Sequence, residues 1–393
     1  MSLYSQYEKA FSNIARPFAF LDLNHLDENI LFVKEHLGNK HIRIATKSIR
    51  SVEVLNYIAQ SFPTSSGWMT YSAKEILFLA KKGFDHFLMG YPILEREDVE
   101  QLIPFIREGK EIVWMVDSIE TWEWLQKIGE EHDIILLICL DINVSTSFPF
   151  IYFGTKRSPL TEEKALKDLL EKGIKHKRTK VVGLMGYEAQ IAGVGDKPHE
   201  KWKRGIIPLL KRSSRTNISL WRKKAVEIIE SYVGKLRFVN GGGSGSLLWT
   251  VEQKEITEIT VGSAFYFPAL FDQHTSLPLK SAAGFGLRVT RKPEEGVIVC
   301  HGGGYTASGA LSMDKLPTVY LPEGLEFLQN EGPGEVQTPL KANGFIPKIG
   351  DTVYFRHSKA GELCERFQEL IVCRDDKLDG KFRTYRGEGE CFL

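Results

Sequence analysis

The chain has 393 residues, 42% of them hydrophobic, and a formal net charge of +1. That is enough apolar material for a sizeable core in roughly two to three domains. The near-balance of charge excludes a strongly basic surface set by net charge, so neither nucleic acid nor an anionic membrane is the expected partner. The longest aliphatic run, IILLICL (134–140), falls far short of the ~18–20 apolar residues of a membrane helix. The start, MSLYSQYEKAFSN, lacks the basic region and apolar core of a signal peptide. The five cysteines, at 139, 300, 364, 373 and 391, are odd in number and form no CxxC pair. A reduced, cytoplasmic protein is expected.

Between about residues 17 and 270, short β-rich runs alternate with amphipathic stretches. The runs are FAFLDL, IRIAT, GWMTY, HFLMG, IVWMVD, IILLICLDI, VVGLMGYEA and RFVNGG. Between them, SAKEILFLAKKG (72–83) repeats apolar residues at helical spacing and stops at Gly83. SIETWEWLQKIGEE and LWRKKAVEIIESYVG read the same way. Alternation of this kind predicts an α/β fold with parallel strands and crossover helices. An open doubly wound sheet and a (β/α)₈ TIM barrel both fit, and eight strands favour the barrel. Past about residue 275, FGLRVTRKP, GVIVCHGGG, TVYLPEG, DTVYFRHS and ELIVCR are separated by Gly, Pro and Asp. They predict a mostly-β C-terminal domain. The expected division is a barrel over 15–272 and a β domain over 273–393, with residues 1–14 joining the latter.

Five segments carry candidate chemistry. In IRIATKSIR (42–50) a β-branched run stops at Thr46 and a lysine, Lys47, follows at the strand tip. Charge at a strand end is common, but an amine there is also placed to hold an aldehyde. FVNGGGSGSL (238–247) runs a strand into a glycine- and serine-rich loop whose backbone can approach a phosphate closely. It lacks the GK[ST] of a Walker loop, and its late position suits the phosphate site of a barrel. EITVGSAFY (258–266) would set Gly262 and Ser263 beside it. GLMGYEAQ (183–190) ends an apolar run at Tyr187, a core residue or a ring-packing one. FRHSKAGELCERF (355–367) crowds ionisable groups and a thiol behind a β-run, as a solvated loop or part of a site. There, His357 and Cys364 make only a weak metal pair.

Taken together and in order, RIATKSIRS, GWMTYSAKEILFLAKKGFDHFLMGYPI, FGTKRSPL, GLMGYEAQ, FVNGGGSGSL, TEITVGSAFYFPALFD and RHSKAGELCERF resemble the alanine-racemase-type (fold type III) pyridoxal-phosphate enzymes. The resemblance spans nearly the whole chain. It is strongest to the D-threonine aldolase and D-serine dehydratase branch, including relatives labelled amino acid deaminase/aldolase. It implies an N-terminal barrel, a C-terminal β domain and a homodimer. It implies that Lys47 holds pyridoxal 5'-phosphate covalently, that Gly242, Gly243, Ser244, Gly262 and Ser263 hold its phosphate, and that Tyr187 lies near it. Arg157, in GTKRSPL, would meet the ring's phenolic oxygen or the substrate carboxylate, and Thr260 would stand by the pyridine nitrogen. Members of this branch hold a divalent metal through a histidine and an acidic residue or cysteine two positions on. Here that stretch reads His357-Ser358-Lys359. A lysine at the third position disfavours a metal, and Lys359 is expected to supply a fixed cation in its place, with His357 handling the hydroxyl proton. A metal held by His357 and Cys364 is the alternative.

The implied reaction is a lyase step on a β-hydroxy D-amino acid, by retro-aldol cleavage or by loss of water and ammonia. An amino acid racemase is the second reading. It would need a base on the opposite face, for which Tyr305, Tyr320 and Tyr354 are available. A non-catalytic cofactor-binding protein is the third.

Overall fold

The computed structural model describes residues 1–197, 203–310 and 312–392. Eight parallel strands close a barrel. In order around it they are His41–Ala45, Trp68–Thr70, Phe87–Met89, Ile112–Val116, Leu136–Asp141, Thr179–Met185, Phe238–Gly241 and Glu258–Val261, the last pairing back to the first. Helices cover the outside. Their starts are written in the sequence: Ser51, Ser72 and Ser118 each accept the N–H three residues on, from Val54, Glu75 and Thr121. Such a cap satisfies a donor that the first turn leaves orphaned. Helix Ala73–Lys81 buries Ala73, Ile76, Leu79 and Ala80, the face its spacing predicts.

The strand count of eight holds, but one member differs. Phe18–Asp22 is not a barrel strand; Glu258–Val261 takes that place. Phe18–Asp22 lies in a nine-stranded sheet, antiparallel to Ala283–Glu294 and parallel to Glu369–Arg374. All five of its residues are buried, so alternation could not reveal its partners. The register supplies the reason. Phe18 faces Gly286 and Phe20 faces Gly284. A Cβ on Gly284 would come within 2.7 Å of the Phe20 ring, and one on Gly286 within 2.7 Å of the Phe18 ring. Glycines at these two positions make room for the aromatic rings. Helix Leu3–Ala10 packs Tyr7 onto the same cluster, with Phe11, Phe18, Phe20 and Tyr354.

Beyond the expected strands, the β domain adds Leu325–Phe327, Gln337–Ala342 and Lys377–Arg383. Among the described residues no helix is long and apolar enough to cross a membrane.

Candidate active site

Parallel strands aim their C-terminal ends the same way, and loops at that end build the site of a barrel. Here those ends and a segment of the β domain enclose a cavity of about 600 Å³. It brings together Lys47, Arg157, Tyr187, Gly242, Gly243, Ser244, Gly262, Ser263 and Lys359. It does not bring in His357, Cys364, Tyr305, Tyr320 or Tyr354, none of which lines it.

Lys47 sits in a single 3₁₀ turn, Thr46–Ser48, directly after strand His41–Ala45. Thr46 Oγ1 donates to the Met69 carbonyl at 3.0 Å, tying the turn to the next strand. The Lys47 amine reaches the cavity and meets Tyr91 Oη at 2.6 Å. Tyr91 follows strand Phe87–Met89 by two residues. Sequence reasoning missed it, although its place after a strand and a glycine resembles that of the other site residues.

Across the cavity, the loop after Phe238–Gly241 is shaped by crowding. Gly242 has φ +90°, and a Cβ there would lie 2.6 Å from Ile259 Cγ2. A Cβ on Gly243 would lie 2.9 Å from Ala192 Cβ and 3.2 Å from the Tyr187 ring. A Cβ on Gly262 would lie 2.7 Å from Ser48 Oγ. Ser244 Oγ accepts the Ala264 N–H at 2.7 Å, which joins the two glycine segments. The amides of Gly243 and Ser244 donate to no acceptor among the described residues. This is a cradle of small residues with free N–H groups, and it fits a phosphate.

Under the cradle lies a group that the sequence does not flag. Glu188 is fully buried and accepts four donors: the Gly242 N–H at 3.1 Å, Arg222 Nη2 at 2.7 Å, Ser246 Oγ at 3.0 Å, and Thr250 Oγ1. Arg222 comes from helix Lys203–Val233, is also fully buried, and reaches the Gly186 carbonyl at 2.7 Å. Its Nε and Nη1 have no hydrogen-bond partner among the described residues. Nothing in the basic run around Arg222 marks it apart from its neighbours.

The floor of the cavity is neutral. Thr260 Oγ1 and Asn240 Nδ2 meet at 2.9 Å, and Asn240 reaches Glu258, which Arg43 holds through two bonds of 2.7 and 3.0 Å. Along one side, Arg157 lies 6.0 Å from the centre of the Tyr187 ring. Burial pushes the Tyr187 hydroxyl up to about 12. Asp141, at the end of Leu136–Asp141, also lines the cavity. Burial and then the Asp117 carboxylate push it up to about 7, against a pull from Arg157.

Lys359 enters from the β domain. Its ammonium donates to the Ser308 carbonyl at 2.6 Å and to Ser308 Oγ at 3.2 Å. No carboxylate lies within ion-pair distance of it among the described residues. Both contacts are to Ser308, and the amine makes no other hydrogen bond among the described residues, which leaves an N–H for the cavity. Burial lowers its pKa, and the charges of Lys315 and Lys47 lower it further, against a rise from Glu362. His357, two residues earlier, faces elsewhere. It is buried against Tyr266, and burial, then the Arg356 charge, push its pKa down to about 3, against a rise from the Ala283 backbone. The Cys364 thiol donates to the Ile49 carbonyl at 3.3 Å, and burial holds its pKa up at about 12. Among the described residues, no three His, Cys, Asp or Glu side chains come together to hold a metal ion. The cradle and the amine fit pyridoxal 5'-phosphate.

Residues 21–269 match the model of the family described as alanine racemase, N-terminal domain. The chain is 22% identical over 263 residues to a 3-hydroxy-D-aspartate aldolase of Paracoccus denitrificans (strain Pd 1222). That match covers 66% of this chain and 62% of that protein, just under two thirds of the relative's length. In three dimensions it is similar to D-threonine aldolase from Filomicrobium marinum. The TM-score is 0.78 at 16% identity, covering 95% of this chain and 96% of the other. It is also similar to D-threo-3-hydroxyaspartate dehydratase from Delftia sp. HT23. There the TM-score is 0.77 at 13% identity, covering 95% and 98%.

Proposed function

The chain belongs to the alanine racemase N-terminal domain family, and from that premise we propose that it is a pyridoxal-phosphate-dependent lyase acting on a β-hydroxy D-amino acid. The carrying observation is that one cavity holds a glycine cradle with free amides, an amine at a strand tip, and a second amine with an N–H left for the cavity. The named relatives, two of which act on 3-hydroxyaspartate, support the same reading.

The amides of Gly243 and Ser244, with Gly262 and Ser263 beside them, would hold the phosphate. Lys47 would hold the aldehyde carbon, and Arg157 and Tyr187 would flank the ring. Bound there, the cofactor supplies an electron sink for charge that develops at the substrate Cα. The Lys47 amine would also stand as the base for one face of the substrate Cα. Lys359 would meet the β-oxygen. If the Cβ–O bond breaks, the Lys359 ammonium would give that oxygen a proton and it would leave as water; if the Cα–Cβ bond breaks, the β-hydroxyl proton would pass to a neutral Lys359 amine, whose pKa burial lowers, as the aldehyde carbonyl forms. The substrate is a small amino acid. We take the working unit as a homodimer in the cytoplasm, a second copy covering the hairpin formed by Thr146–Phe148 and Ile151–Phe153, where Phe150 is 99% exposed. Sedimentation tests the first point, and a concentration-independent monomer excludes it.

The test is to load the protein with pyridoxal 5'-phosphate and follow D-threonine, D-serine, 3-hydroxy-D-aspartate and D-alanine for aldehyde, ammonia and inversion. Native protein should show a visible absorbance band and release aldehyde or ammonia from a β-hydroxy substrate. Lys47→Ala should lose the band and roughly 10³-fold or more of the activity. Inversion of D-alanine without cleavage of any β-hydroxy substrate would overturn the reading in favour of a racemase. A native protein that takes up no cofactor would overturn it entirely.

A further inference from the structure

The turn that carries Lys47 is held both by its own next residues and by groups from far along the chain. The Lys47 carbonyl accepts Arg50 Nε at 2.9 Å. The Ile49 carbonyl accepts Tyr266 Oη at 3.1 Å and the Cys364 thiol at 3.3 Å. The Arg50 carbonyl accepts the Tyr385 N–H at 2.8 Å. Gly361 closes the arrangement: a Cβ there would come within 2.0 Å of the Lys47 carbonyl oxygen.

Arg50 joins these contacts. Its backbone is left-handed, with φ +53°, a conformation that a long side chain adopts only when its surroundings impose it. Its Nη1 reaches Glu365 Oε1 at 2.6 Å, and the other oxygen of Glu365 takes Arg386 Nε at 2.7 Å. The guanidinium also lies over the Tyr71 ring, 5.2 Å from its centre. Glu365 and Gly361 belong to the β-domain segment that presents Lys359. One short segment therefore both delivers the second amine and braces the turn that carries the first.

We infer that Arg50 is a positioning residue, which fixes the Lys47 turn against the β domain through Glu365 and so sets where Lys47 stands relative to Lys359. This rests on the reading above, that Lys47 is the reacting amine. An arginine suits the task because its planar fork can bind a carbonyl and a carboxylate at once, which a lysine's single ammonium does less well.

The experiment has two readouts, taken on full-length Arg50→Met, Arg50→Lys and Glu365→Gln. The first is hydrogen exchange without cofactor. Ile49 and Arg50 amides both bond to the Thr46 carbonyl and so report on the turn. Arg50→Met and Glu365→Gln should speed their exchange, while strand His41–Ala45 keeps native protection. The second is the rate at which added pyridoxal 5'-phosphate becomes covalently attached at Lys47, trapped with borohydride and read by mass. Small misplacement of a reacting group is expected to slow it by about 10–100-fold, with Arg50→Lys between the native protein and Arg50→Met. Added guanidinium ion should restore part of the Arg50→Met rate, which a general loss of stability would not allow. Native exchange at 49–50 in both Arg50→Met and Glu365→Gln overturns the inference, as does attachment at native rate. If the native protein takes up no cofactor, the functional reading fails, and the exchange data still decide whether Arg50 braces the turn.

Discussion

At the glycine edge of the cavity the supporting carboxylate, Glu188, is sealed from solvent; at the lysine edge its counterpart, Glu365, is partly exposed. Glu188 meets one arginine, one amide and two hydroxyls, and its partner Arg222 is equally buried. Glu365, one-fifth exposed, meets the buried Arg50 and the more exposed Arg386. A buried charge that loses its partner is left with its full desolvation cost, whereas a solvated one is not. The phosphate cradle should therefore be tied to the stability of the fold. The lysine edge should be tied to geometry and rate, and be nearly separable from stability.

Two substitutions break this comparison if it is wrong. Arg222→Met leaves Glu188 charged and unpaired, and should lower unfolding free energy by about 3–5 kcal/mol in urea titration. A loss under about 1 kcal/mol would mean that the hydroxyls and the Gly242 amide alone satisfy Glu188. Lys359→Met should do the reverse. Stability should stay within about 0.5 kcal/mol of native. Turnover of the β-hydroxy substrate should fall by roughly 10²–10³-fold, a usual cost of removing a positioned proton donor or acceptor. Lys359→Arg should recover part of it. If added divalent metal restored Lys359→Met to native rate, the lysine would be dispensable as the cation.

Where the sequence could be read, the structure was local. The glycine cradle lies within ten residues of one strand, and its glycines answer to crowding that any tight loop would create. Lys47, Tyr187, Gly262 and Ser263 follow strand ends, so the strand pattern itself placed them. The parts that could not be read depend on contacts across the whole chain. Phe18–Asp22 looks like a barrel strand because it is buried on both faces, and only its register against Gly284 and Gly286 says otherwise. Arg50 and Glu365 are 315 residues apart, and Arg222 and Glu188 are 34 apart. No periodicity pairs them. The segment 357–365 was singled out by its crowding, but which side chain enters the cavity depends on the path of the chain: Lys359 enters and His357 does not.

The smallest expected effect concerns two carboxyls, Glu75 on the helix after strand Trp68–Thr70 and Asp141 at the end of the strand opposite that of Lys47. Burial pushes fully buried Glu75 up to about 7, against hydrogen bonds from the Tyr71 amide, Thr46 and Tyr385. Burial and Asp117 bring Asp141 to about 7 as well. Ordinary carboxyls titrate near ~4. From about pH 4 to 7 the native state therefore keeps protons that the unfolded chain has released. By linkage, the stability these groups contribute is fully present below about pH 4 and is lost as pH rises through about 7. The slope is at most about 1.4 kcal/mol per pH unit for each group. Glu75→Gln keeps an oxygen for the Tyr71 amide and should flatten the fall of the urea midpoint between pH 5 and 7.5. Asp141→Asn should flatten it too. Because Asp141 lines the cavity and Glu75 does not, only Asp141→Asn should also move the pH profile of turnover. If Glu75→Gln moved that profile equally, the Tyr385–Arg50 contacts behind Lys47 would be transmitting its charge to the reacting amine, and the lysine edge would be less separable from its supports than its geometry indicates.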